Sequence, residues 1–370
     1  MNSAVIGVGG MGKVHLQGHL DSPYTEHVYF VEPDNVRARA LLEEFPMAKR
    51  ISLDEMLGDA SIRLVSIASP NAFHKEQAIA CMRAGKAVLL EKPMGCDLEE
   101  ARQIVQAEKE TGAFLQVGFE LHYSKLYQIA KEWIDAGKIG EPVNIQTRYF
   151  CCEFHRKDNW RSNSSGSFLI GEKLSHYLDL QRYFFGEQFE SIYSLSSRKV
   201  VPYFRHRDNH QIMTKYPNGK VAVLNFIMYL AETDFDELSR DPLIDLMEKQ
   251  ADDGCSLSYH ICGTRGAIET DVFRRRIRRW EFGEREDGMT SRIAETLRFT
   301  REEDQVYFHN VYGEVQHVIG LVANGRKSEM DGKEALETMG MCFAAEMSEN
   351  RDMPINRNVL STTVFKEVQR

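Results

Sequence analysis

Ser3-Ala4-Val5-Ile6-Gly7-Val8-Gly9-Gly10-Met11-Gly12 is a short apolar run that breaks into G-x-G-x-x-G, with helix-competent sequence from Lys13 to Leu20 behind it. Each outer glycine has its own physical task in such a turn. Gly7 allows the tight turn, Gly9 lets the backbone approach a pyrophosphate, and Gly12 lets the helix lie close to the strand. Gly10 and Met11 complete the loop. A diphosphate would rest on the N–H groups of a helix start, where the dipole favours negative charge. Val28-Tyr29-Phe30-Val31 reads as the second strand, and Glu32 ends it, twenty residues after Gly12. A carboxylate there accepts from both ribose hydroxyls of an adenosine and repels a 2′-phosphate. Asp34 adds a second negative charge, so NAD is expected rather than NADP. Arg37 and Arg39 read as a solvated helix face.

Outward from this turn, strand and helix alternate through the first ~120 residues, the pattern of a doubly wound parallel sheet. Leu64 to Ala68 is a continuous apolar strand that ends at the turn Ser69-Pro70-Asn71. His74 to Ala84 reads as helix, stopped by Gly85. Ala87 to Leu90 is the next buried strand and ends at Glu91-Lys92-Pro93. Asp97 to Glu100 has the spacing of an N-cap, so a helix is expected from there to Thr111, closed by Gly112. Phe114 to Val117 is the last strand. Ligands of such sheets bind outside the carboxyl ends of the strands. Gly7, Glu32, Ser69, Glu91 and Gly118 all follow strands, so they gather on that edge.

The second half reads differently. Ser124 is expected to cap a helix ending at Ala136-Gly137, and Val143 to Tyr149 alternates as a half-exposed strand. A helix is expected from about Glu172 to Phe184. Pro217-Asn218-Gly219 and Gly263-Thr264-Arg265-Gly266 are hairpin signals. The fold class is therefore α/β: an N-terminal Rossmann unit (1–120, NAD-binding) and a C-terminal α+β unit (121–370) with a large open, mostly antiparallel sheet. One sheet face takes helices; pairing in a homo-oligomer, a dimer or tetramer, would cover the other. A closing helix, Gly332 to Glu349, reads as core.

Composition narrows the classes. At 370 residues two domains are the natural expectation. A net charge of −9 argues against nucleic acid as partner. No apolar run approaches the ~18 residues of a membrane span. The chain enters its first strand at once, which predicts no leader and a cytoplasmic location. Seven cysteines without a C-x-x-C pair fit reduced thiols there. Cys151-Cys152 read as packing. The run Arg274 to Arg279 lies in strand-forming sequence with Glu281, Glu284 and Glu286 close behind, and reads as a solvated or subunit-contact strand.

Two segments carry chemistry. In Glu91-Lys92-Pro93 the residue before proline is pushed toward extended geometry, so Lys92 leaves the strand over the cofactor edge. An ammonium there can hydrogen-bond a substrate hydroxyl and stabilise charge on its oxygen as a hydride leaves; a plain surface lysine is the blander reading. In Glu172-Lys173-Leu174-Ser175-His176-Tyr177-Leu178-Asp179, helical spacing puts Glu172, His176 and Asp179 on one face. A histidine between carboxylates suits a general base; an exposed polar face with local ion pairs is the alternative. No third ligand accompanies the pair, so no metal is expected. Tyr123, Arg156 and Trp160 offer aromatic faces and a planar donor suited to a sugar ring.

Taken together and in this order, these residues resemble the Gfo/Idh/MocA family of nicotinamide-dependent sugar and polyol oxidoreductases. The likeness runs from Gly7–His15 through Ser69-Pro70-Asn71 with His74, Ala84-Gly85-Lys86 and Glu91-Lys92-Pro93-Met94. It continues through Gly137 to Glu141, Trp160-Arg161, the helix with His176 and Asp179, and Gly263 to Ala267. The resemblance implies that Ser69, Pro70, Asn71, His74, Glu91 and Lys92 join the glycine turn at the cofactor. It implies Lys92 and His176 as catalytic, converging on one alcohol carbon. Glu172 stands where many members have aspartate, Leu174 replaces a glycine, Ser165-Gly166-Ser167 replaces a glycine run, and His122 stands where an arginine is frequent. The expected activity is oxidation of a secondary ring hydroxyl of a sugar or glycoside, with NAD as hydride acceptor. The alternatives are an inositol or cyclic-polyol dehydrogenase, an NAD-retaining glycosidase-like enzyme working by transient oxidation and elimination, and a nucleotide-sensing subunit without turnover.

Overall fold

The structure, a computed structural model, describes residues 1–151, 157, 170–228 and 255–361. The chain forms two units. One is Met1–Tyr123 with Asn310–Met339, and the other is Ser124–His309 with Gly340–Arg370. The second unit therefore does not take everything after residue 120, as the strand–helix pattern predicts: Asn310–Met339 returns to the first.

In the first unit β1 (Asn2–Ile6), β2 (Val28–Val31), β3 (Lys49–Arg50), β4 (Ile62–Ile67), β5 (Ala87–Glu91) and β6 (Leu115–Gly118) build a sheet of order β3-β2-β1-β4-β5-β6, every pair parallel. That is the strand order of a doubly wound dinucleotide-binding sheet, and the order reverses between β1 and β4. Helices α1 (Gly10–Asp21), α2 (Asn35–Glu44), α3 (Leu53–Gly58), α4 (His74–Arg83) and α5 (Leu98–Thr111) connect the strands. Local chemistry sets their ends. Asp97 accepts from the Glu100 amide at 2.7 Å, and Gly112 closes α5 at φ 64°. Ser52 and Glu55 form a reciprocal capping box on α3.

The returning segment is pinned by two devices. Val311, Val315, Val318 and Ile319 of the helix Val311–Ala323 pack onto Leu64 and Leu89 of the sheet. Gln116, fully buried in β6, accepts at Oε1 from the Ser328 hydroxyl and from the Glu329 and Met330 amides at 2.6–3.1 Å. The last helix, Gly332–Arg351, starts where Glu108 accepts from the Gly332 amide.

The second unit holds a nine-stranded sheet among its described residues. Its strands are β7 (Pro142–Phe150), β8 (Ser191–Leu195), β9 (Asn209–Lys215), β10 (Val221–Ile227), β11 (Ser256–Gly263), β12 (Gly266–Asp271), β13 (Arg276–Arg285), β14 (Gly288–Arg298) and β15 (Ile355–Asn356). The order is β14-β13-β12-β11-β7-β10-β9-β8-β15. Only β7 and β10 pair in parallel. Cross-strand register shows two unlike faces. Ile192, Thr214, Ala222, Ile145, Ile261 and Ile268 form a buried row across six strands. The opposite row runs Tyr193, Met213, Val223, Gln146, His260. Met213 is 54% exposed in it. Asn218 (φ 60°) and Gly219 (φ 78°) make the β9–β10 turn, as their types predict.

The Gly137–Glu141 and Gly263–Ala267 stretches singled out by the family resemblance dock on each other. Arg265 donates to the carbonyls of Ile139 and Gly137, and Thr264 donates to that of Glu141. A Cβ at Gly263 would lie 2.3 Å from the Ile139 oxygen. Three local expectations are revised. Ser124 occupies the N-cap of the helix Lys125–Asp135, yet its hydroxyl donates to the Tyr307 carbonyl. The helix expected from Glu172 opens as a π turn, Ile170–Leu174, and becomes α only over Ser175–Phe185. The basic run is internally neutralised: Arg275 pairs with Asp304, Arg278 with Glu269, and Arg279 with Glu281 and Glu295.

Candidate active site

The glycine turn separates its residues by task. Gly7 lies at φ +81°, and a Cβ on it would sit 2.5 Å from the Ser69 Cα. A Cβ on Gly12 would meet the Gly7 carbonyl oxygen at 2.0 Å. Those two glycines are demanded by the fold itself. Gly9 and Gly10 are not: a Cβ on either would meet nothing within 4 Å. Gly9 is the N-cap of α1, and no side chain caps this helix. The first N–H groups of α1, those of exposed Gly10 and Met11 among them, therefore have no side chain over them, the arrangement an anionic diphosphate requires.

Glu32 closes β2 and is buried. Its Oε1 accepts from the Asp34 amide at 2.9 Å, which orients the carboxylate. Arg37 stands 3.9 Å from Oε2 and is largely exposed, as a solvated helix face should be. Arg50, which no motif singles out, donates to the Glu32 carbonyl (3.1 and 2.8 Å) and to Asn35. These residues suit a dinucleotide with a free ribose 2′-hydroxyl: a cradle of bare amides at one strand end, an oriented carboxylate at the next.

On the far side of the switch point Ser69 gives its hydroxyl to Gln77 at 2.6 Å, and Asn71 is buried in the turn after Pro70. His74 is buried; its Nδ1 lies 2.7 Å from the Pro93 carbonyl and its Nε2 2.8 Å from that of Ser69. Burial holds its pKa below the usual imidazole range. His74 thus sits between the Ser69 turn and the Lys92-Pro93 turn, and as a neutral imidazole it donates to one of the two carbonyls. Glu91 reaches the other way, 2.9 Å from His15 Nε2 on α1. Lys92, between these two anchored residues, is half-buried at the carboxyl end of β5. Its peptide bond to Pro93 is cis.

In the second unit Glu172, His176 and Asp179 are all buried. A π turn closes on the fifth residue rather than the fourth, so Glu172 is rotated from the α-helical stacking over His176 that the spacing predicted. Asp179 lies 3.5 Å from the Arg182 guanidinium, itself buried and held by Gln188. His309 is the neighbour that sequence reading missed. Its ring centroid lies 6.3 Å from that of His176, and no local pattern advertised it. Tyr123 belongs to the first unit. Its hydroxyl accepts from Gln116 at 3.3 Å and its ring lies against His317. Arg156 and Trp160 lie outside the described residues. Among those residues no group of three or more His, Cys, Asp or Glu is arranged to hold a metal.

A doubly wound sheet with an uncapped glycine turn, followed by a helix-backed open sheet, defines a dinucleotide-binding protein of two unlike units. Residues 1–119 match the oxidoreductase family with NAD-binding Rossmann fold, and residues 127–269 match the GFO/IDH/MocA C-terminal domain. The chain belongs to the Gfo/Idh/MocA family. Inositol 2-dehydrogenase of Mycolicibacterium smegmatis is 30% identical over 196 residues, 52% of this chain and 55% of that one. The chain thus spans about half the length of that relative. The scyllo-inositol 2-dehydrogenase (NAD(+)) of Bacillus subtilis is 28% identical over 362 residues, 96% of each chain. The structure of scyllo-inositol dehydrogenase from Lactobacillus casei with NAD(H) and scyllo-inositol shares the fold, with a TM-score of 0.75 at 17% identity over 97% of this chain and 99% of that one.

Proposed function

We propose that this protein is an NAD-dependent dehydrogenase that oxidises a secondary ring hydroxyl of a cyclic polyol or sugar to a ketone. The observation that carries the reading is the glycine turn, whose two middle glycines the fold does not need and a diphosphate does. The names of the relatives, inositol dehydrogenases that use NAD in the full-length Bacillus case, support the substrate class. Gly7, Gly9, Gly10, Met11, Gly12 and Glu32 hold the cofactor in the first unit, and the second unit takes the substrate. NAD, when bound, accepts the hydride. His176 takes the hydroxyl proton, and an imidazole suits that task near neutral pH. Lys92 donates a hydrogen bond to the substrate oxygen and steadies the charge that grows there. Glu172 orients the base or holds an adjacent hydroxyl. Asp179, spent on Arg182, secures the helix.

The exposed face of the nine-stranded sheet is the surface through which copies of this chain associate. No helix among the described residues is long and apolar enough to cross a membrane.

The test is a panel of inositols, free sugars and glycosides followed by reduced-nicotinamide absorbance. Replacing Lys92 or His176 by alanine should lower kcat by about 10²–10⁴-fold, the usual weight of a proton-transfer group, with NAD affinity little changed by comparison. Undiminished turnover in both variants would overturn the assignment. Glycoside cleavage without net NADH would replace it by the elimination chemistry.

A further inference from the structure

A cavity of about 150 Å³ lies in the second unit, lined by Ile170, Arg205, His210, Glu346, Glu349 and Asn350 among others. One wall is a closed network. Glu349 Oε1 accepts from the Ser194 hydroxyl and from His210 Nδ1, each at 2.6 Å. Its Oε2 stands 3.7 Å from Arg207. A carboxylate only accepts, so Nδ1 of His210 is a donor here. The opposite nitrogen, Nε2, is buried without a partner among the described residues. The other wall is open-handed. The side chains of Arg205, Glu346 and Asn350 make no hydrogen bond or ion pair with any described residue, although all three border the cavity. Glu346 and Asn350 are four apart on the helix Gly332–Arg351 and share a face. Burial and the neighbouring Glu349 push the Glu346 carboxyl up to about 7, the state of an acid that lacks a donor.

The inventory selects the ligand. Arg205 donates, Asn350 donates and accepts, the Glu346 carboxyl accepts and, when protonated, also donates, and His210 Nε2 adds a further buried polar atom without a partner among the described residues. The lining is close to balanced in charge, Arg205 and Arg207 against Glu346 and Glu349 with Arg207 already facing Glu349, so it does not single out a bare anion. A metal lacks its ligand set among the described residues. Vicinal hydroxyls need donors and acceptors side by side, as this wall provides. An engineered cavity of about 150 Å³ holds benzene, so this space takes one edge of a hydroxylated ring, with the rest of the ring outside it. Its position matters as well. Ile170 opens the π turn that carries Glu172 and runs straight into the helix of His176.

We infer that this cavity is a second ring subsite, in which Arg205, His210, Glu346 and Asn350 hold the neighbouring ring of a glycoside whose first ring is oxidised beside His176. The inference rests on the dehydrogenase reading and narrows its substrate from single-ring polyols to two-ring sugars. Calorimetric titration of the NAD-loaded protein with glucose, an inositol, maltose and cellobiose tests it, together with NADH formation from each. One disaccharide should bind about tenfold tighter than either single ring, the gain that one or two added hydrogen bonds supply. In Glu346→Gln and, independently, in the surface variant Arg205→Ala, that ratio should fall close to one. Equal affinity for one and two rings, or a disaccharide gain that both variants keep, would overturn the subsite. NADH from single rings without a disaccharide gain would sink the subsite alone. A variant-sensitive disaccharide gain without any hydride transfer would uphold the subsite and sink the dehydrogenase reading.

Discussion

At the residue scale the four glycines of the first turn make separable predictions. Gly7→Ala forces a positive φ on alanine and drives a methyl group into the Ser69 backbone. It should destabilise the protein by about 1–3 kcal/mol, measured by urea unfolding without cofactor. Gly9→Ala meets open space at φ −80°. Its unfolding midpoint should stay within error of the parent, while NAD binding weakens by about tenfold or more because the methyl group stands where the phosphate must approach. A Gly9 variant that binds NAD as the parent does would remove the ligand from this turn. The contrast explains what the sequence could and could not say here. G-x-G-x-x-G marked all the glycines alike. Only the packing distances separate those the chain needs from those a ligand needs. Tyr123 shows the reverse case: an aromatic ring is a generic sugar platform by type, and its hydroxyl is already engaged by Gln116.

At the scale of elements, legibility followed range. Strands β1, β2, β4 and β5 are continuous apolar runs bounded by turns, and helix ends at Asp97, Gly112 and Gly85 obey local capping rules, so both were readable. The destination of the helix Val311–Ala323 was not. Its apolar stripe fits any sheet, and the choice of Leu64 and Leu89 as its bed is a long-range fact. The π turn before Ser175 was equally hidden, because an inserted residue leaves the apolar spacing of the following helix intact. His19 on α1 shows how burial converts an element into a pH-sensitive one. His19 is fully buried, with Nε2 2.8 Å from the Ser66 hydroxyl of β4. Burial, aided by His15, lowers its pKa from 6.5 to about 3. Between those values the unfolded chain holds a proton that the folded chain does not. Stability from this group is therefore complete above pH 6.5 and drains away as pH falls toward 3. Urea unfolding at pH 7.5 and pH 5 should show the parent losing about 2 kcal/mol more than His19→Gln across that interval. An equal loss in both would show that His19 already carries its proton in the fold.

At the scale of the whole molecule, the nine-stranded sheet poses a problem that one chain leaves open. Its inner face buries a row of isoleucines, Ile192, Ile145, Ile261 and Ile268, on helices of its own unit. Its outer face presents Met213 and Ile293, each more than half exposed, beside Leu195 and His260. Exposed apolar side chains spread over a broad, hydrogen-bonded, rigid surface are what a second identical face can cover at little cost in conformational entropy, since neither partner has to reorganise. Two-fold pairing would bring each Met213 row onto a copy of the sheet. The parent protein at micromolar concentration should elute as a dimer or tetramer in size-exclusion chromatography with light scattering. Met213→Lys combined with Ile293→Lys places four or more uncompensated charges in each such contact. The double variant should therefore run as a monomer while its far-ultraviolet circular dichroism stays that of the parent. A monomeric parent, or a double variant that still assembles, would assign the association to some other surface and leave this face to water.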